Sequence, residues 1–397
     1  MKLCIYCKGT HKYEDCPQWH KSLALYKIKN KLNSSDFSGS APAPFIGRFG
    51  YPEVNVGILA PPEISKEAWL YDAPKYWSEK NYNISEVIGL RGSLVNSNFK
   101  SNVKLLENSR LLEVVKEVGM ASNPVDVEVL LKEKPAFNLK LDAYTAPRGP
   151  NAKLQKIEVT SNPKIHTKVQ RFTDDNDILA KDVMLNLHSH GFDENFLTKL
   201  LSVGVLGLKQ NKKLVPTRWS ITATDDMLGK NLISNVREFE KGDYCSYFGS
   251  YLGNYYIVLM FPHNWSYELF ETSLETKGTT TDYESFEGRK NYAQNCVGGY
   301  YTVRLAVAEK LKELKRQNSV LVLRFITNEY TLPLGVWVTR EATRKTLSNK
   351  PIKFASKELM LTYAKNLINK KFGFDISDIL NQSLVLKGLK QKSLNMY

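Results

Sequence analysis

"GGYYTVRLAVAEKLKELKRQ" (residues 298–317) leads into "SVLVLRFI" (319–326). The first stretch reads as an amphipathic helix whose apolar stripe is Val303, Val307, Leu311 and Leu314. The second is a short β-branched apolar run interrupted by Arg324, which reads as a buried strand. A helix feeding a buried strand predicts a mixed α/β body. "YCSYFGSYLG" (244–253) and "YYIVLMF" (255–261) supply two more strands, and "LGVWV" (334–338) reads as another, followed by a helix at "REATRKTL".

Upstream, "DDNDILAKDVMLNL" and "DENFLTKLLSVG" predict helices within 174–208. "LKLDAY" and "LQKIEVT" alternate as strands within 136–172, and "ENSRLLEVVKEVGMAS" (107–122) predicts a helix stopped by its glycine. Residues 33–63 are dense in Gly and Pro yet carry Phe45, Ile46, Phe49, Tyr51, Val54 and Val56. A solvated linker does not carry such a cluster, so an ordered, irregular segment covering a domain surface is expected. Downstream, a helix near 356–371 stops at Gly373 and a shorter one follows near 376–383. No internal repeat, GxGxxG or P-loop is present.

The chain has 397 residues, 42% of them hydrophobic, enough for roughly two or three domains. No signal peptide or membrane-spanning run is evident, so a soluble cytoplasmic, nucleoid-associated protein with no membrane partner is expected. The five cysteines do not spread like a disulfide framework; Cys245 and Cys296 read as small buried residues. Net charge is +14, and residues 1–31 (+5) and 341–397 (+7) hold most of it. A polyanion such as DNA is the natural partner of such ends.

"CIYCKGTHKYEDC" (4–16) places Cys4, Cys7, His11 and Cys16 at spacings that suit a closed tetrahedral zinc site, with His20 as the alternative to His11. A filled shell leaves no place for water, so this Zn2+ would be structural. Residues 18–32 follow as a short basic helix. The fold class is therefore mixed α/β (α+β): a small N-terminal zinc module on a larger body, with a helical basic C-terminal region. The expected segments are 1–32 (zinc module), 33–63 (Gly/Pro-rich), 64–213 (first part of the body), 214–348 (α/β core), 349–386 (helical region) and 387–397 (tail).

Several places could carry chemistry. Asp225 and Asp226, after "PTRWSITAT", would hold Mg2+ or Mn2+ for phosphodiester cleavage if they follow a strand, or would cap a helix beginning at Met227. "DYESFEGR" offers Asp282, Glu284, Glu287 and Arg289 ahead of a glycine pair, a pattern suited to phosphate. Arg48, Arg218, Arg304 and Arg340 are phosphate-binding candidates, and Tyr300 and Tyr301 could stack on bases. Arg304, Glu309, Arg324, Glu329, Arg340 and Glu341 form either an ion network or the floor of an anion pocket, with Glu329 or Glu341 as a partner for Arg324. His188 and His190 in "LHSHG" read as surface histidines of a helix.

"GSAPAPFIGRFGYPEVNVG" (39–57), "LVPTRWSITATDD" (214–226), "YESFEGRKNYAQNCVGGYYTVRLAVAEKL" (283–311) and "EYTLPLGVWVTREATR" (329–344) together resemble the archaeal Nre family of DNA-repair proteins. The resemblance runs the length of the chain. It implies a role in DNA repair and, in many members, a C-terminal peptide that binds the sliding clamp. In "QKSLNMY" (391–397), Gln391, Leu394 and Tyr397 fall in step with that peptide; Met396 and the single aromatic depart from it. The family has another cysteine near the place of His11, which favours His11 over His20. The expected function is a DNA-binding repair factor recruited by the clamp. The alternative is a repair nuclease or hydrolase of a nucleotide-derived phosphodiester or glycosidic bond, using the acids and arginines of 218–341. An RNA-binding zinc protein fits the charge but not the tail.

Overall fold

The computed structural model describes residues 16–32, 34–104, 109–135 and 149–389. The chain divides into two compact units, Met1–Met227 with Leu332–Leu334, and Leu228–Thr331 with Gly335–Tyr397.

The first unit contains α1 (Pro17–Lys31), β1 (Asp36–Ala41), β2 (Ala43–Ile46), β3 (Glu53–Ala60), α2 (Pro74–Glu79), α3 (Ile84–Gly92), β4 (Val95–Asn102) and α4 (Arg110–Met120). After these come β5 (Val125–Leu131), β6 (Asn151–Val159), α5 (Thr167–Asp174), α6 (Ala180–Ser189), α7 (Glu194–Ser202) and the start of α8 (Thr217–Val236). Its sheet runs β1-β5-β6-β4-β3-β2, antiparallel except where β4 pairs β6. The two outer strands, β1 and β2, are separated by Pro42 alone. Such a link reaches only about 7 Å, so the sheet must curl until its outer strands meet at that corner. Pro42 has no N–H to extend a ladder there, and its carbonyl accepts from Lys199 Nζ of α7 at 3.3 Å.

Residues 36–60 thus hold three strands of a core sheet, where the sequence suggested an irregular cover over 33–63. Ile46, Val54 and Val56 are buried as strand residues. The glycines serve close backbone approach: a Cβ on Gly57 would lie 2.4 Å from the Ser97 carbonyl oxygen of β4. α4 also differs from expectation at its end. Gly119 lies inside the helix, packed on Val203, and the C-cap is Ala121.

The second unit contains β7 (Tyr244–Tyr251), β8 (Asn254–Phe261), β9 (Ser266–Ser273), β10 (Thr279–Glu284), α9 (Val297–Leu314) and β11 (Ser319–Ile326). It ends with α10 (Trp337–Ser348), β12 (Ile352–Phe354), α11 (Lys357–Phe372), α12 (Ser377–Gln382) and α13 (Leu384–Gly388). The sheet order is β10-β9-β11-β8-β7-β12, with β9 and β11 parallel and the other pairs antiparallel. Strand periodicity splits the side chains between two faces. Ile257, Leu259, Phe261, Leu321, Leu323 and Phe325 face Met360, Ala364 and Ile368 of α11 and the apolar residues of α12 and α13. α9 and α10 pack on each other, and both contact the sheet.

Residues Gly298–Ala308 of α9 are buried on every side, whereas Leu314 is 40% exposed. The stripe read from the sequence is therefore replaced by all-round burial over the first turns. "LGVWV" is not a strand: Gly335 turns at φ +114 and α10 begins at Trp337. A short apolar run bordered by glycine does not separate a strand from a buried helix start. α11 stops at Gly373 as expected, with φ +62.

Gly119→Ala should destabilise the first unit by up to about 2 kcal/mol, because its Cβ would sit 2.7 Å from Val203 Cγ1 and overpacking outweighs better helix propensity. Gly89→Ala in α3, where nothing lies within 4 Å, should stabilise by about 0.5–1 kcal/mol. Urea melts of the two variants check this; equal stabilisation would refute the close packing.

Candidate functional site

In the second unit the acids and arginines singled out in the sequence are drawn together by β10 and α9, but as partners of one another. Asp282 and Glu284 are two apart on β10, so they share a face. Tyr300 and Arg304 are four apart on α9, one turn from each other. Glu284 accepts hydrogen bonds from Arg304 Nη1 (2.8 Å), the Tyr300 hydroxyl (2.8 Å) and Trp265 Nε1 (3.1 Å). All four side chains are buried. Asp282 Oδ2 accepts the backbone N–H groups of Asn295 (3.0 Å) and Cys296 (2.7 Å), and its Oδ1 pairs with Arg289 at 3.0 Å. The N-terminus of α9 is where an anion would settle. Here the chain's own carboxylate, Asp282, takes the two amides just ahead of the helix, those of Asn295 and the N-cap Cys296.

Arg324 finds its partner across the ladder. It stands opposite Glu271 in the parallel β9–β11 register, pairs with it at 2.5 Å, and donates to Asn254 Oδ1. Neither Glu329 nor Glu341, the partners suggested by the sequence, takes that role. Glu329 accepts from Tyr255, while Glu341 pairs with Arg344 and Arg340. Arg344 also grips Glu309 with two hydrogen bonds.

Tyr300, Tyr301, Arg304 and Arg340, read as surfaces for bases or phosphate, are instead buried. Burial, then the neighbouring Glu284 carboxylate, raises the Tyr300 hydroxyl well above its ordinary range. Burial likewise pushes the Cys245 thiol up to about 11 and raises Cys296 further, so neither is a ready nucleophile at neutral pH. Glu287 is exposed and apart from these pairs.

Asp225 and Asp226 neither follow a strand nor cap a helix. They sit inside α8, which opens on the Pro216 carbonyl, and Asp225 is fully buried. The β-branched "SITAT" before them reads locally as strand, and packing overrides that propensity. His190 is exposed at the C-cap of α6, its Nδ1 2.8 Å from the Asn186 carbonyl oxygen.

The first unit holds a different arrangement. The β2–β3 loop (residues 47–52) turns at Gly50 (φ +83), and Tyr51–Pro52 is cis. Ile46 N–H donates to Thr217 Oγ1 at 3.0 Å, which fastens this hairpin to the first turn of α8. Arg48 and Arg218, the two arginine candidates read from this part of the sequence, are both exposed here. Three rings lie among them: Phe49 (76% exposed), Tyr51 (46%) and Trp219 (44%). Tyr51 and Trp219 have centroids 5.2 Å apart, and the Arg48 guanidinium lies 4.9 Å from the Phe49 centroid. Lys100 of β4 is exposed, with Nζ 3.5 Å from where a Gly50 Cβ would stand. Sequence reasoning missed these rings as a group. It counted Phe49 and Tyr51 with the covering cluster, although flanking glycines and Pro52 mark a loop tip.

The zinc candidates Cys4, Cys7 and His11 and the tail residues Gln391, Leu394 and Tyr397 lie outside the described residues. Cys16 is buried at the N-cap of α1, and His20 N–H donates to its carbonyl at 3.1 Å, one turn on. Among the described residues, no three His, Cys, Asp or Glu side chains are grouped to hold a metal ion.

Because Glu284 neutralises a buried arginine, Glu284→Ala should cost about 3–5 kcal/mol. Glu287→Ala, on an exposed side chain, should stay within about 0.5 kcal/mol. Denaturant unfolding of the second unit checks this; equal effects would remove Glu284 as an anchor.

Two family models match the chain: "Archaeal Nre, N-terminal" over residues 11–278 and "Archaeal Nre, C-terminal" over 284–397. The chain is 32% identical to the DNA repair protein NreB of Archaeoglobus fulgidus, with 98% of each chain covered. It is 34% identical to the DNA repair protein NreA of the same organism, covering 93% of this chain and 94% of that one. It is 35% identical to the DNA repair protein NreA of Haloferax volcanii, covering 78% and 77%. No solved structure matches. With both halves matched and relatives aligned nearly end to end, the chain belongs to the archaeal Nre family.

Proposed function

We propose that this chain is a DNA-repair protein that binds DNA through its basic segments and is brought to a sliding clamp by the C-terminal peptide QKSLNMY. The observation that carries the reading is the nearly end-to-end similarity to relatives named DNA repair proteins. The charge distribution supports it. Lys29 of α1, Lys365, Lys370 and Lys371 of α11, Lys350 and Lys387 are exposed, where a phosphate backbone could meet them. The pairing of the acids and arginines of 271–344 with one another favours a binding role over the hydrolase alternative. Cys4, Cys7, His11 and Cys16 (His20 in place of His11) would hold a structural Zn2+ that stiffens the basic N-terminal segment. The tail would add a small contact of roughly micromolar strength, enough to raise local concentration at the clamp.

Two measurements test this. The logarithm of duplex affinity should fall linearly with the logarithm of salt, by about 0.9 per phosphate neutralised; a flat dependence would remove the electrostatic grip. Deleting residues 391–397 should abolish clamp binding in calorimetry and leave DNA affinity intact. Unchanged clamp binding would dismiss the tail.

A further inference from the structure

We propose that the β2–β3 loop and the first turn of α8 form a platform on which unpaired bases of DNA stack. This rests on the reading of the chain as a DNA-binding protein and names the form of DNA that this surface takes.

Exposed aromatic rings are ordinary when scattered and informative when grouped. Tyr51 and Trp219 touch, Phe49 stands two residues from Tyr51 in the same loop, and Phe49 is the most exposed large apolar residue among those described. The backbone that carries Phe49 and Tyr51 is held in place: the hairpin is pinned through Ile46 N–H to Thr217, and Gly47 N–H and Glu53 N–H close the loop onto Asn55 and Gly50 carbonyls. Little backbone freedom is left in this loop for a ligand to remove.

The surroundings select the ligand's chemistry. Arg48, Lys100 and Arg218 are cations at the rim. Glu53, the exposed acid that opens β3, accepts a hydrogen bond from Asn102 Nδ2 at 2.5 Å and remains an anion. Rings with three exposed cations against one carboxylate fit a ligand with flat π-faces on an anionic chain. That is a polynucleotide, and such surfaces combine backbone attraction with sequence-tolerant stacking. In a paired duplex the base faces are already stacked and cannot reach the rings. The ligand is therefore a single strand, a gap or an extruded base. The same cations would attract any duplex, so the rings, not the charges, give the preference.

The test uses the full chain and three fluorescently labelled DNAs: oligothymidylate, a paired duplex, and the same duplex with a short gap. Phe49→Ala and Trp219→Ala should each weaken binding of oligothymidylate and gapped duplex by roughly 5- to 150-fold and leave the paired duplex unchanged. Phe49→Tyr and Trp219→Phe should retain binding. A 2-aminopurine in the gap should be quenched by the parent protein and by Phe49→Tyr, but not by Phe49→Ala. Equal loss on paired and gapped DNA, or no loss on either, would overturn the platform while leaving the DNA-binding reading in place. Loss of clamp binding with gapped-DNA affinity intact would overturn it in favour of a protein contact. If the parent protein binds none of the three DNAs, the DNA-binding reading falls first and the platform with it.

Discussion

A guanidinium taken out of water must find a carboxylate, and in the second unit this requirement organises everything around the sheet. Arg304 meets Glu284, Arg324 meets Glu271, and Arg289 meets Asp282. Each pair joins different elements. Glu284 binds β10 to α9 and, through Trp265, to the approach to β9. Glu271 opposite Arg324 lies at one rung of the parallel ladder. A slip of one residue would turn Arg324 to the apolar face built on α11 to α13 and leave a charge without its partner. Desolvation makes such pairs weak sources of stability, yet breaking one is costly. Their contribution is therefore to choose one register among several that would bury similar apolar area.

The same requirement changes what the acid and arginine clusters mean. In sequence, acids, an arginine and a glycine pair before a helix look like a phosphate site. In the fold, Asp282 already occupies the amides of Asn295 and Cys296 just ahead of α9, and Gly299 lets the helix approach Glu271 closely. Exposed cations stand elsewhere: Lys29 of α1, Lys365, Lys370 and Lys371 of α11, and Arg48, Lys100 and Arg218 around the loop beside α8. Buried charge fixes the scaffold, and exposed charge is available for recognition.

The first unit depends on a different constraint, the single residue between β1 and β2. Because Pro42 joins the two outer strands, the sheet has to curl, and glycines stand where backbones close in. The end of β2 meets the head of α8 through Ile46 N–H and Thr217, and the loop between β2 and β3 stands at the surface.

The sequence by itself determined the elements whose signal is local. The buried strands at 255–261 and 319–326, the helices of 180–202 and the Gly373 stop follow from period, composition and one positive-φ glycine. Family membership was legible too, because long distinctive strings carry it. Tertiary structure decided what depends on partners distant in sequence. "SITATDD" became helix because packing overrode β-branched propensity, and residues 36–41 and 53–60 became core strands because they pair with β5 and β4. Arg324 chose Glu271, fifty-three positions away, over nearer acids. Phe49 and Tyr51 face outward while Val54 and Val56 face inward, though all four are apolar or aromatic. Side-chain chemistry is written in the chain, but burial and opposition are properties of the fold, since both require a second surface that no local stretch contains.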